Sequence, residues 1–269
     1  MKRYAVIGQP VAHSLSPTIH KAFAEAAAIT LDYQALAIDA ADLAARLAAL
    51  HGEGWAGFNV TLPHKQAVMA LCQDLSDAAR RAGAVNTLIP TPGGWHGDNS
   101  DGTGLVQDLA RLGVTLAGRR VLVLGAGGAA RGIIAPLLAT RPASLTISNR
   151  NPWKPEALSE AFADLGTLTP RTHWALKGDA YDVVINATSA GHSGAMPPMP
   201  EGLFADGAVA YDLSYGKAHL PFAEWATAQG ARTVHDGLGM LVAQAAESFR
   251  LWHGVTPDAA SVLALLRAD

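Results

Sequence analysis

The 269-residue sequence is poor in several things at once. It has one cysteine, Cys72, and a lone thiol cannot close a disulfide within the chain, which fits a reducing, cytoplasmic setting. As a free cysteine it reads as a small core side chain. Only 16% of the residues are charged, the net charge is −3, and no basic run occurs, so neither nucleic acid nor an anionic membrane is an expected partner. No apolar stretch approaches the ~18 residues of a membrane span. After Lys2 and Arg3 only four residues precede Gly8, too few for the apolar region of a signal peptide, and the start reads as a strand. There is no internal repeat and no low-complexity linker. These absences leave a small-molecule protein, a monomer or homodimer.

What is present is an alternation of strands and helices. With 49% hydrophobic residues over this length, the chain can bury one large core or two modest ones, and two domains are expected. The first unit runs through the strand "RYAVIG", the helix "SPTIHKAFAEAAA" with Pro17 in its first turn, "DYQALAI", "DAADLAARLAAL" and "GWAGFNVT". The helix-like "KQAVMALCQDL" and a hairpin through "AVNTLIPTPGGWHGD" complete it. A second unit begins near Gly118 with "RRVLVLGAGGAARGIIAPLLA" and continues with "SLTISNR", "YDVVINATS" and "AVAYDLS". Two helices, "LGMLVAQAAESFRLWHG" and "TPDAASVLALLRAD", follow.

The glycine turn Gly125, Ala126, Gly127, Gly128, Ala129 and Ala130 follows an apolar strand and opens a helix. It matches G-x-G-x-x-G/A, in which small residues let the backbone approach a pyrophosphate at a helix N-terminus. The next strand ends in Asn149 and Arg150, with no acid to hold ribose hydroxyls; Arg150 and Lys154 are cations suited to a 2′-phosphate. NADP is therefore the expected cofactor.

A nicotinamide cofactor gives a cleft lysine a task, because reduction of a ketone leaves an alkoxide that needs a proton. Lys65 stands just past the strand and proline of "FNVTLPHK". "GDNSDG" offers Asp98 and Asp101 as the neighbouring carboxylate. Spacing alone does not choose Lys65 over Lys21, or Asp101 over Asp98. His13 has no second histidine at ligand spacing, and no metal is expected.

Taken together, "GQPVAHSLSPTIH", "NVTLPHK", "AGAVNT", "GDNSDG", "GAGGAARG", "INATSAG" and "DGLGMLVAQAA" resemble, in order and spacing, the shikimate dehydrogenase family over essentially the whole chain. The resemblance implies reversible NADPH-dependent reduction of 3-dehydroshikimate in the shikimate pathway, and hence a role in aromatic amino-acid biosynthesis. It implies Lys65 and Asp101 as the catalytic pair, and Ser14, Ser16, Thr61, Asn86, Gln244 and Tyr215 as substrate contacts. For the cofactor it implies the glycine turn, Asn149, Arg150, Lys154, the strand end Asn186, Ala187, Thr188 and Ser189, and Gly237 and Met240 near the nicotinamide. Two positions depart from the common pattern. Lys21 stands for an asparagine, and Asn151 for a threonine, in "NPWKP", which reads as a proline-stiffened loop.

The expected fold is two α/β domains with a cleft between them that closes on ligand. Residues 1–101, completed by 238–269, form a substrate domain with a mainly parallel sheet, and residues 102–237 a Rossmann domain for NADP. A quinate/shikimate dehydrogenase using NAD or NADP is one alternative, disfavoured by the "SNR" strand end. A nucleotide-sensing regulator that lost the chemistry is the other, and it need not keep Lys65 together with Asp101.

Overall fold

The structure, a computed structural model, describes residues 1–268; Asp269, the end of the expected C-terminal segment, lies outside the described residues. The chain divides into two compact units, one made of Met1–Gly104 and the segment from Leu241, the other of Leu105–Met240.

In the first unit β1 (Lys2–Gly8) lies between β2 (Leu31–Ala37) and β3 (Gly57–Val60), parallel to both. The sheet continues antiparallel through the hairpin of β5 (Thr87–Thr91) and β6 (Gly94–Asp98), with β4 (Asp74–Leu75) parallel at the edge. The order is β2-β1-β3-β5-β6-β4. β1 is buried from Tyr4 to Gly8, as its unbroken apolar run requires of a central strand. Under the sheet, Phe58 meets Trp95 edge-on at 5.2 Å between ring centroids and stacks on Trp55 at 5.4 Å.

The helices α1 (Ser16–Ala26), α2 (Leu43–Gly52) and α3 (Asp77–Ala82) come from this N-terminal stretch. Pro17 sits in the first turn of α1, where a backbone N–H would have no intrahelical acceptor. One expectation fails here. "KQAVMALCQDL" makes only a short 3₁₀ turn at Ala67–Leu71, because Cys72 turns extended and Gln73 N–H bonds Trp95 O at 2.8 Å, drawing the chain into the sheet edge.

The second unit is a single parallel sheet of β7 (Arg120–Leu124), β8 (Ser144–Asn149), β9 (Leu168–Thr172), β10 (Tyr181–Asn186), β11 (Phe204–Asp212) and β12 (Thr233–His235). Its order, β12-β11-β10-β7-β8-β9, is that of the Rossmann fold and reverses between β7 and β10, where such sheets bind ligands at their carboxyl ends. α4 (Asp101–Arg111) leads from the first unit and α5 (Gly128–Ala139) follows the glycine turn. "NPWKP" is not a loop: α6 (Trp153–Ala161) starts within it. Pro152 precedes the helix and Pro155 is its third residue, so both fall among positions whose N–H groups find no intrahelical partner. β9 and α7 (Leu220–Ala228) were not foreseen. α8 (Leu238–His253) and α9 (Ala259–Ala268) end the chain as expected. Among the described residues no helix is long and apolar enough to cross a membrane.

Candidate active site

Lys65 is fixed from both sides. Where β3 ends, Thr61 N–H still bonds Ile7 O at 2.9 Å, and the chain then turns through a cis Leu62–Pro63 peptide. Buried His64 points Nε2 at Ile38 O, 2.7 Å away, and Lys65 O accepts Val85 N–H at 2.8 Å. With the backbone held, Lys65 Nζ reaches both oxygens of Asp101, at 3.0 Å and 2.8 Å. Asp101 opens α4, where the helix dipole favours a carboxylate. Lysine carries three N–H donors; two face Asp101, which leaves one for another oxygen.

Asn86 completes the cluster. Its Nδ2 donates to Asp101 Oδ1 at 2.9 Å and lies 3.3 Å from Gln244 Oε1, while its Oδ1 accepts Ser100 N–H at 3.0 Å. Of the lysines and aspartates that spacing left open, Lys65 and Asp101 are the two that meet. Asp98 is engaged elsewhere, accepting from Ser76 Oγ and from Asn99 N–H, and Lys21 is exposed on α1. The Lys65 and Asp101 side chains are 25% and 10% exposed, so the pair is sheltered yet can still exchange protons with water.

Ser14 Oγ lies 3.1 Å from Ser16 Oγ and accepts Ser16 N–H at 3.2 Å. Ser16 is the first residue of α1, and Leu15 before it gives the helix no side-chain cap. Thr61 packs its methyl where a side chain at Gly8 would collide, 2.5 Å from an added Cβ. Sequence reasoning passed over Tyr33, Asn59, Thr87, Ser100 and Ser248, whose polar atoms join this cluster. Asn59, Thr87 and Ser100 sit inside the motifs "NVTLPHK", "AGAVNT" and "GDNSDG", and Ser248 falls four residues after Gln244 on one helix and so on the same face.

In the second unit the glycine turn lies close against the neighbouring strand. Gly125 has φ +101°, and a Cβ there would sit 2.8 Å from Ala187 O, so only glycine lets the turn lie against the end of β10. Gly127, Gly128 and Ala129 are exposed at the start of α5, leaving backbone N–H groups open to an anion. Asn186 shapes the adjoining strand end: its Oδ1 accepts Thr188 N–H at 3.1 Å and Thr188 Oγ1 at 2.7 Å, while Nδ2 donates to Asp212 Oδ1 at 2.9 Å. Ser189 is exposed beyond it.

Buried Asp212 also accepts Ser214 N–H at 3.0 Å and faces His219 Nδ1 at 3.2 Å, bracing the segment that carries Tyr215. Burial raises the Tyr215 phenol above its ordinary range. A Cβ at Gly237 would be 2.3 Å from Leu213 O, and Met240 is buried.

At the tip of β8, Asn149 Oδ1 accepts Asn151 N–H at 2.9 Å, and Asn151 Oδ1 accepts Trp153 N–H at 3.1 Å. Asn151 thus supplies the start of α6 where the common pattern has a threonine. Arg150 and Lys154 are exposed, and no ion-pair partner for either occurs among the described residues. Buried His173, on Ser148 Oγ at 2.9 Å, is held below the usual histidine range by burial first and by the Arg150 guanidinium second. These residues fit an adenine dinucleotide with a 2′-phosphate: an open helix start, a glycine that admits no Cβ, and two unneutralised cations. Among the described residues no group of three or more metal-ligating side chains forms, and His13 is exposed.

Comparison with known proteins agrees along the whole chain. The model of the shikimate dehydrogenase substrate binding domain matches residues 6–88, that of shikimate / quinate 5-dehydrogenase residues 108–195, and that of the shikimate 5′-dehydrogenase C-terminal domain residues 237–267. The shikimate dehydrogenase (NADP(+)) of Dechloromonas aromatica is 52% identical over 276 residues, covering 98% of this chain and 97% of its own. The crystal structure of an Ael1 enzyme from Pseudomonas putida is similar with a TM-score of 0.94 at 42% identity, over 99% of this chain and 98% of that one. That of shikimate 5-dehydrogenase from Thermus thermophilus, in complex with NADP(H) and shikimate, has a TM-score of 0.86 at 34% identity, over 100% and 99%.

Proposed function

The chain belongs to the shikimate dehydrogenase family, and we propose that it interconverts 3-dehydroshikimate and shikimate with Lys65 and Asp101 as its catalytic pair. The observation that carries the reading is the contact of Lys65 Nζ with both oxygens of Asp101, joined through Asn86 to Gln244. Shikimate is a small ring bearing three hydroxyls and one carboxylate. The hydroxyls of Ser14, Ser16 and Thr61 and the amides of Asn86 and Gln244 are the oriented donors and acceptors such a ring needs.

The nicotinamide cofactor, when bound, supplies a hydride as NADPH or accepts one as NADP+. The chain's residues handle the proton. As the C3 carbonyl oxygen gains electrons, the remaining Nζ proton of Lys65 passes to it, and the neutral amine recovers a proton from solvent through its exposed part. In the oxidative direction the same nitrogen receives the hydroxyl proton. Asp101 keeps Nζ aimed and offsets the charge of the protonated amine. Tyr215 contributes its phenol on the substrate side. Arg150 and Lys154 would hold the 2′-phosphate, the Gly125–Ala129 turn and the end of β10 would hold the rest of the cofactor, and Gly237 and Met240 would lie near the nicotinamide.

The free thiol Cys72 is raised to about 11 by burial and is inert as a nucleophile; an uncrosslinked chain of this kind suits the cytoplasm. The experiment that tests the function compares purified protein on shikimate and quinate, each with NADP+ and with NAD+. Shikimate with NADP+ should give the highest kcat/KM; a preference for quinate or for NAD+ would overturn the reading.

A further inference from the structure

Buried and half-buried polar side chains of the first unit are linked end to end, and their donors point one way. An ionised carboxylate only accepts, so Asn86 Nδ2, 2.9 Å from Asp101 Oδ1, donates to it. The amide cannot be reversed, because its Oδ1 accepts the Ser100 backbone N–H at 3.0 Å. Thr87 Oγ1, 2.9 Å from that same Oδ1, gives its single proton there and must then accept from Ser248 Oγ at 2.7 Å. That contact is shorter than the other one open to the serine proton, the Gln244 carbonyl at 3.2 Å. Ser248 accepts from Asn59 Nδ2 at 2.8 Å, and Asn59 Oδ1 accepts from the Tyr33 hydroxyl at 2.7 Å. Thr87 and Ser248 are wholly buried.

We infer that this one-way chain, from Tyr33 through Asn59, Ser248, Thr87 and Asn86, holds the Asp101 carboxylate in the orientation that aims Lys65, which makes Thr87 and Ser248 positioning residues for the reaction. The inference rests on the reading of Lys65 and Asp101 as the catalytic pair. The chain is not a proton relay, since two of its members are amides that do not pass protons on. Its effect is orientation and polarisation: hydrogen bonds in series strengthen one another in a low-dielectric interior, and a missing member leaves its neighbour unsatisfied.

The test is Thr87→Val, which keeps the branched shape and removes the hydroxyl. It is read by the single-turnover rate of NADPH formation from shikimate, by KM for shikimate, by Kd for NADP+ and by Tm. The hydride step should slow by roughly ten-fold or more while KM moves by less than about three-fold, the signature of a loss confined to the transition state. NADP+ affinity should be unchanged, and Thr87→Ser, which restores the hydroxyl, should recover most of the rate.

A folded Thr87→Val within about two-fold of the wild-type rate would overturn the inference. So would a Thr87→Ser as slow as Thr87→Val, because volume would then be what matters. Should Thr87→Val not fold, Ser248→Ala is judged by the same rate and KM criteria. Asp101→Asn is measured alongside: full activity there would overturn the catalytic reading itself, whereas an inactive Asp101→Asn beside a fast Thr87→Val overturns only the chain.

Discussion

The two units prepare for their ligands in opposite ways. In the first, the groups proposed for catalysis and substrate binding are side chains from residues 65, 86, 101 and 244, and they are bonded to one another. In the second, the groups proposed to meet the cofactor are mostly backbone, set by a glycine with positive φ and by the start of a helix, and the two cations Arg150 and Lys154 lack ion-pair partners among the described residues. A reacting centre needs its groups held in one geometry before substrate arrives. A phosphate site needs uncommitted positive charge. Mutual saturation in one place and open charge in the other suit the proposed roles of the two sites.

The comparison is tested most severely at the saturated end. Lys65→Ala removes the proposed proton donor and should lower kcat by roughly 10²–10⁴-fold, with NADPH affinity nearly unchanged, because general acid–base catalysis contributes about that much. Asp101→Asn keeps the shape, removes the charge that Lys65 answers, and should fall in the same direction. Steady-state rates with direct cofactor binding decide it. Wild-type turnover in Lys65→Ala would mean that the ordered cluster serves stability alone.

At the open end the expected effect is smaller. One hydrogen bond to a charged group contributes roughly 1.5–3 kcal/mol, so Arg150→Ala should weaken NADPH by about 10- to 150-fold. NADH, with no 2′-phosphate, should be barely touched. The ratio of kcat/KM for the two cofactors measures this, and equal weakening of both would remove Arg150 from the phosphate site.

How legible each site was in the sequence follows the same division. The cofactor turn is contiguous, and its physics is local: Gly125 must adopt a φ that other residues rarely do, next to a helix start, so six letters in a row suffice. The substrate cluster is assembled by tertiary contacts over spans of 36 residues between Lys65 and Asp101 and 158 between Asn86 and Gln244. No periodicity carries that information, and Lys21 and Asp98 looked as good until motif resemblance chose. Thr87 and Ser248 were passed over, although they neighbour Asn86 in its motif and Gln244 on its helix face, because a buried hydroxyl reads as an ordinary strand or helix residue. The misreadings of the fold were local as well. "KQAVMALCQDL" has helical spacing but is captured by the sheet edge, and prolines at 152 and 155 look like breakers although a helix start tolerates them.

A third change probes the backbone half of the comparison. Gly125→Ala forces a Cβ into left-handed backbone and against Ala187 O at 2.8 Å, where a carbonyl cannot yield as a side chain can. Strain of this kind costs on the order of 1–3 kcal/mol. Tm should drop and both NADPH and NADH should bind more weakly, in contrast to Arg150→Ala, which separates them. Retained affinity for both cofactors would show that the turn can shift without harm.

The smallest effect expected concerns two buried histidines, one in each unit. His173 has Ser148 as a partner. His20 is buried in an aromatic cluster, stacked on Tyr33 at 4.4 Å with an interplanar angle of 7°, and neither ring nitrogen has a hydrogen-bond partner among the described residues. Burial lowers its pKa to about 3, with Asn59 favouring the charged ring more weakly and His253 opposing it. The folded state therefore keeps His20 neutral where the unfolded chain would protonate it, below about 6.5. Its contribution to stability is complete above that value and is lost as pH falls toward 3, at on the order of 1 kcal/mol per pH unit. His20→Phe keeps an aromatic ring and removes the titration. Between pH 7 and pH 5 the variant should lose roughly 2 kcal/mol less stability than the wild type, read from urea midpoints at constant m-value. Parallel losses in the two proteins would mean that His20 takes up a proton in the folded state as readily as in the unfolded one, and that the acid sensitivity of the first unit lies elsewhere.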